Sequence, residues 1–112
     1  EYIEYQSIPG EGKYFFSYTV SIKNNGKIPA KLISRHWVIT DSNEKVEEVT
    51  GLGVIGEQPR LEPKESFEYT SGTILNTPVG SMHGTYQMVA DNGYEFDASI
   101  PLFSLSTPGI LN

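Results

Sequence analysis

Gly51-Leu52-Gly53-Val54-Ile55-Gly56-Glu57-Gln58-Pro59-Arg60-Leu61-Glu62-Pro63 opens with the Gly-x-Gly-x-x-Gly spacing of a dinucleotide-binding loop. That function needs a strand before the loop, a helix opening at the third glycine and an acidic residue roughly 20 positions on. Here Pro59 and Pro63 follow the third glycine closely. Proline lacks the amide proton of a helical turn and restricts the residue before it, so no regular helix can start there. The glycines need another explanation, and the flanking segments supply the context.

Those segments have a period of two. Tyr14, Phe16, Tyr18, Val20 and Ile22 alternate with Ser17, Thr19, Ser21 and Lys23, with Phe15 the exception. Alternation of this kind marks a half-buried strand. Asn24-Asn25-Gly26-Lys27 carries turn chemistry, because Asn and Gly accept positive φ cheaply. From Lys31 to Asp41 the pattern is mixed. Ile33, Arg35, Trp37 and Ile39 share one parity, and the Trp37 face is expected inward on a central strand. Arg35, on this inward parity, is expected either to snorkel at the strand end or to pair with a carboxylate at the sandwich rim, a structural ion pair rather than a ligand contact. Asp41-Ser42-Asn43-Glu44 reads as a turn, and Lys45 to Val49 as a short charged edge strand.

A loop is expected from Gly51 to Lys64, then a strand through Phe67, Tyr69 and Ser71, then a second loop from Leu75 to Ser81. Met82, Tyr86, Met88 and Ala90 define one face of the next strand. Asp91-Asn92-Gly93 signals a hairpin, after which Tyr94, Phe96, Ala98, Ile100 and Leu102 are expected inward. Pro101 predicts an edge or a bulge, and Phe103 and Leu105 then take the opposite parity. Tyr69, Tyr86 and Tyr94 are expected in the core with their hydroxyls reaching outward. No segment holds a 3.6-residue period. The fold class is therefore all-β: a two-sheet antiparallel β-sandwich of about seven strands, fibronectin type III or immunoglobulin-like, with a closed barrel as the alternative.

The 112 residues make one domain able to bury its own core. Cysteine is absent, which removes disulfides and thiolate chemistry. A net charge of -6 speaks against nucleic acid and anionic membranes. No apolar run reaches the roughly 20 residues of a membrane span. Glu1 is an unusual start, so an N-terminal segment is expected to be missing.

Several spaced motifs occur in order. Ser34-Arg35-His36-Trp37 precedes Gly51-Leu52-Gly53-Val54-Ile55-Gly56-Glu57-Gln58-Pro59, followed by Leu61-Glu62-Pro63 and Phe67-Glu68-Tyr69-Thr70-Ser71-Gly72. Thr77-Pro78-Val79-Gly80-Ser81-Met82, Gly84-Thr85-Tyr86-Gln87-Met88 and Ile100-Pro101-Leu102-Phe103 complete the set. Together they resemble the ApaG family across nearly the whole chain. Lys64 departs from the glycine frequent there in that family. The resemblance implies a fibronectin type III-like sandwich in a bacterial cytoplasmic protein, or a protein-interaction domain of larger eukaryotic proteins. It also implies an association with cobalt and magnesium homeostasis (the cobalt-resistance and magnesium-efflux phenotype) and with diadenosine tetraphosphate hydrolysis, neither of which names an activity.

The candidate binding loop comprises Gly51, Gly53, Gly56, Glu57, Gln58 and Pro59, joined by Thr77, Pro78 and Gly80 if both loops share one end of the sandwich. The leading expectation is a non-enzymatic module that binds a protein. The alternative is a phosphate-bearing small molecule or nucleotide held by backbone amides. A third is a divalent-cation responsive factor. The steric alternative for the glycines is positive φ or close backbone approach. Neither Glu57 alone, nor His36 and His83, nor Glu68, Asp91, Glu95 and Asp97 has the spacing of a metal or catalytic site, so no cofactor and no metal are expected.

Overall fold

The computed structural model describes residues 1–108. Seven strands follow two short 3₁₀ turns: β1 Tyr14–Lys23, β2 Ala30–Asp41, β3 Val46–Leu52, β4 Arg60–Leu61, β5 Ser66–Leu75, β6 Val79–Ala90 and β7 Glu95–Ser106. All pairings are antiparallel. One sheet is the β1–β5 pair. The other has the order β3-β2-β6-β7, with the short β4 also paired to β2. The chain is the all-β, two-sheet sandwich that the alternation predicts.

Inward-facing side chains from both sheets fill the space between them. Phe16, Trp37, Ile39, Leu75, Met82 and Leu105 form one buried cluster. Leu32, Val54, Tyr69, Tyr86 and Met88 belong to a second, with Ala30. Trp37 lies on the central strand β2, as expected. Its ring takes edge-on contacts from Tyr18, Tyr86 and Phe103, the geometry in which the positive ring edge meets the negative face.

The mixed pattern along β2 has a structural cause, and Ile33 does not share the inward face with Trp37 as its parity predicts. Opposite β6 the register shifts between Leu32 and Ser34, so Ile33 is the extra residue of a β-bulge. The bulge reverses parity. Leu32 is fully buried, Ile33 leaves the inward face, and Trp37 and Ile39 return to it. β7 does the same at its expected place. Pro101 and Leu102 together oppose His83, after which Phe103 and Leu105 turn inward. Leu102, expected inward, is 62% exposed as a result. Tyr94 is also exposed, stacked on Phe96 at the hairpin, rather than in the core. Tyr69 and Tyr86 are buried, but their hydroxyls hydrogen-bond each other instead of reaching outward.

Strand ends also extend past the expected limits. β3 is a charged edge strand but continues through Gly51 and Leu52, which pair with Arg35 and Ser34. β5 runs on to Leu75 and β6 begins at Val79, so the second loop shrinks to Asn76–Pro78. Lys64 has φ 71°, the left-handed conformation that suits the glycine common at this position in the ApaG pattern.

Two features hold the sheets and turns in place and can be tested. A Cβ on Gly84 would lie 2.1 Å from the His36 carbonyl oxygen, so β2 and β6 approach too closely for any side chain. Gly84→Ala is expected to cost roughly 1–3 kcal/mol in urea denaturation, the usual penalty of forced overpacking. Separately, Arg60 donates from Nε to Asp91 Oδ1 at 3.1 Å and from Nη2 to Asp91 Oδ2, joining β4 to the β6–β7 hairpin. These hydrogen bonds hold the Asp91 carboxyl below its ordinary range. A depressed carboxyl pKa stabilises the fold above the unfolded value and loses that contribution as pH falls through the folded one. The parent should therefore lose more stability than Asp91→Asn as pH falls below about 4, read from melting temperatures.

Candidate functional site

The glycine loop is anchored on the Ile33 bulge. The Ile33 carbonyl accepts the Gly53 N–H at 2.8 Å and the Gln58 Nε2 group at 2.9 Å, and the Leu32 N–H reaches the Pro59 carbonyl at 3.0 Å. Between these anchors the chain reverses. Val54 and Glu57 exchange two backbone hydrogen bonds, Val54 N–H to Glu57 O at 2.8 Å and Glu57 N–H to Val54 O at 2.9 Å. The two residues between them, Ile55 and Gly56, have φ of 43° and 78°. Positive φ at both central positions is the requirement of a type I′ turn.

Each glycine of the triplet has a steric reason. Across from Gly51 lies Arg35, whose guanidinium would sit 2.8 Å from a Cβ there. A Cβ on Gly53 would lie 2.2 Å from the Glu57 carbonyl oxygen. Gly56 has open space around it but needs its positive φ.

Among the described residues Arg35 makes no ion pair with a carboxylate, so of the two expectations for it the ion pair fails and the snorkelling guanidinium remains. Its Nη1 donates to the carbonyls of Leu52, at 3.1 Å, and Gly53, at 2.9 Å. The inward parity of Arg35 brings the guanidinium to the sandwich rim, where the strand-to-loop carbonyls are the acceptors within reach. Close by is the Tyr69–Tyr86 hydroxyl pair. Burial first, then the hydrogen bond from its partner, pushes the Tyr86 phenol far above its ordinary value.

This geometry bears on anion binding. The N–H groups of Gly53, Val54 and Glu57 are already spent on loop closure. Of the two basic residues beside the loop, Arg35 donates its Nη1 to the Leu52 and Gly53 carbonyls, and Arg60 is committed to Asp91 and to Glu62, with its Nη1 2.7 Å from Glu62 Oε1. What the loop offers outward is a mixed surface with two apolar side chains at its tip. Leu52 is 76% exposed and Ile55 54% exposed, with Glu57 and Gln58 beside them.

Thr77, Pro78 and Gly80 do not join this surface. Gly80 pairs with Asp41, and Thr77 Oγ1 accepts the Ser42 N–H at 3.1 Å while donating to the Val79 carbonyl at 2.7 Å. The glycine loop is fixed at Ile33, eight positions away along β2. At about 3.3 Å per residue the two loops are roughly 26 Å apart, toward opposite ends of the sandwich. Thr77 is buried and braces a turn, and a Cβ on Gly80 would meet Leu75 and the Thr40 carbonyl at 2.6 Å.

Among the described residues no group of three or more His, Asp or Glu side chains is placed to hold a metal ion. His36 Nε2 is 2.7 Å from Glu48 Oε1 on the outer face of the sheet. No helix among them is long and apolar enough to cross a membrane. Sequence reasoning missed the apolar clefts between β1 and β7. They form because, among the described residues, nothing pairs with β1 on that side beyond Ser17, and pairing order is not written in local periodicity.

The chain is similar to known proteins along its whole length. The family model of the ApaG domain matches residues 4–90. Protein ApaG of Aromatoleum aromaticum is 55% identical over 112 residues, covering 100% of this chain and 88% of that protein. Protein ApaG of Thiobacillus denitrificans is 57% identical over 111 residues, covering 99% and 87%. A crystal structure of a Bordetella pertussis protein titled ApaA superposes with a TM-score of 0.93 at 53% identity, covering 97% of this chain and 89% of that one. A second X-ray structure, a structural-genomics target, gives 0.94 at 55% identity, covering 99% and 84%. On this sequence and structural likeness, the chain belongs to the ApaG domain family.

Proposed function

We propose that this domain is a non-enzymatic, cytoplasmic binding module that engages another protein through the tip formed by Leu52, Ile55, Glu57 and Gln58. One observation carries the reading: Ile55, a β-branched residue, is held at φ 43° and is 54% exposed. β-Branched side chains rarely adopt positive φ, and such strain costs on the order of 1–3 kcal/mol. A turn that served only to reverse the chain would carry Asn or Gly there at no such cost. Keeping an isoleucine at the tip is accounted for by a partner that receives it. A rigid sandwich presenting a shaped loop is a common recognition scaffold. The part in divalent-cation homeostasis that the family resemblance implies would then be exercised through that partner.

Ile55→Asn relieves the strain and removes the apolar contact in one step. It should raise unfolding stability by about 1 kcal/mol while abolishing capture of the partner that the parent retains from lysate, with Leu52→Ser weakening the same capture. Retention of that partner by both variants would overturn the surface.

The phosphate reading is tested separately. Millimolar nucleotide is expected to leave the amide resonances of Gly51, Gly53 and Gly56 unmoved and the melting temperature unchanged. Saturable shifts confined to these amides would establish nucleotide binding instead.

A further inference from the structure

The larger sheet ends at β3, which pairs only with β2. Successive residues of an antiparallel strand aim their backbone groups at opposite edges. The Lys45 carbonyl accepts the Asp41 N–H at 3.0 Å, and the Gly53 N–H reaches the Ile33 carbonyl at 2.8 Å, so the odd positions face β2. The even positions of β3, Val46, Glu48, Thr50 and Leu52, therefore aim their N–H and C=O groups at the open edge. No backbone partner meets those groups among the described residues.

The shape of this edge suits one more strand. It runs from Val46 to Leu52 in unbroken register, without a bulge or a proline. The β7 edge, by contrast, is interrupted by its bulge and by Pro101, which has no N–H to offer. The far edge of β5 carries an outward row of Glu68, Thr70, Gly72 and Ile74, in which the glycine gives a neighbour nothing to pack on. On β3 the side chains of Val46, Glu48, Thr50 and Leu52 stand in one row on the outer face, with exposed apolar groups, Val46 and Leu52, at its two ends.

Charge selects the occupant. Glu47 and Glu48 lie on the strand and Glu44 and Glu57 flank it, with Lys45 the one base from 44 to 57. Glu44, Glu47 and Glu57 enter no ion pair among the described residues. Such charges keep a second copy away. Two paired β3 edges would bring Glu47 and Glu48 of both chains onto one ladder, in molecules that each carry a net charge of -6. The same carboxylates attract a strand of opposite charge, because cross-strand charge pairs stabilise a ladder when they differ in sign. We propose that the open edge of β3 is the docking site of an extended basic segment of another protein, added as an antiparallel strand. Its residues opposite Val46 and Leu52 are apolar, and those opposite Glu47 and Glu48 are lysine or arginine.

In this mode of recognition main-chain hydrogen bonds supply the affinity and alternate side chains supply the selectivity. The antiparallel direction matches every other pairing in the fold. The inference rests on the reading of the domain as a protein-binding module, and it adds the conformation and the charge of what is bound. Leu52 ends the β3 edge and begins the Ile55 tip, so a partner that covers the tip can continue along the edge.

Three synthetic peptides added to the purified chain test it. The first, Val-Ser-Thr-Val-Lys-Lys-Val, sets lysines against Glu48 and Glu47 and valines against Leu52 and Val46 when it lies antiparallel to β3. The second has glutamate for both lysines. The third keeps the lysines but is N-methylated at the residues opposite Glu48 and Thr50, which removes N–H groups that the edge carbonyls would accept. Amide hydrogen exchange at Val46, Glu48, Thr50 and Leu52 is the readout. The first peptide at millimolar concentration should slow exchange there by about threefold or more, the factor reached at roughly twice the dissociation constant, and the other two should not. Unchanged exchange with the first peptide overturns the proposal. Equal slowing by the acidic peptide overturns the charge of the partner, and equal slowing by the N-methylated one overturns the ladder. Slowing that appears without peptide as protein concentration rises assigns the edge to a second copy and overturns the basic partner. Ile55→Asn alters the tip and leaves the β3 edge intact, so its amides should be slowed as much as those of the parent. Loss of slowing in that variant places the peptide on the tip and overturns the edge. Failure of the tip in the lysate capture, with slowing by the first peptide retained, leaves the edge standing by itself.

Discussion

The bulge at Ile33 is the constraint on which both the core and the glycine loop depend. A strand buries alternate residues, so β2 without it could place either Leu32 or Trp37 inward, but not both. One extra residue opposite β6 lets Leu32 fill one end of the sandwich while Trp37 and Ile39 fill the other. On its other edge the bulge residue continues the β2–β3 ladder, and the Ile33 carbonyl there receives the Gly53 amide and the Gln58 side chain. Core packing and loop position are thus set by one irregularity, in keeping with the tendency of bulges to lie beside functional surfaces.

Around it the second constraint is close approach. At Gly84 the His36 carbonyl leaves no room for a Cβ, whereas at Gly51 a Cβ would require the Arg35 guanidinium to shift. Arg35 shows how an inward-pointing cation is accommodated at a sandwich rim. It lies flat over Gly51 and satisfies itself on the Leu52 and Gly53 carbonyls, with its charge at the edge rather than in the core. The nearby tyrosine pair solves a related problem. Two buried hydroxyls satisfy each other, which spares each the cost of an unpaired polar group.

Within the ApaG domain family, the Gly-x-Gly-x-x-Gly spacing of this chain is therefore a sheet-edge and turn device. Its first glycine makes room for an arginine, its second closes against a carbonyl, and its third completes a type I′ reversal. None of these roles needs a helix or a phosphate. They produce a stiff projection whose outermost side chain is an isoleucine in a conformation that isoleucine disfavours.

Much of the fold was legible in the chain. The period of two, the Asn-Gly and Asp-Asn-Gly turns, and Pro101 with its change of parity predicted the strand count, the hairpins and the β7 bulge. Local periodicity reports which face of a strand is buried, and turn residues report where the chain reverses. The Ile33 bulge left no comparable mark, because Leu32 and Ile33 are equally apolar and no proline or glycine flags the break. Parity alone placed Tyr94 and Leu102 inward, although the hairpin tip and the β7 bulge expose them. Periodicity and turn chemistry were enough for an all-β sandwich and ruled out a nucleotide-binding helix after the glycines. That the two candidate loops lie toward opposite ends, that Arg35 meets carbonyls rather than a carboxylate, and that β1 sits at a sheet edge followed from the assembled fold alone. Those outcomes depend on which strands become neighbours, and strand pairing is a long-range choice made by the whole core.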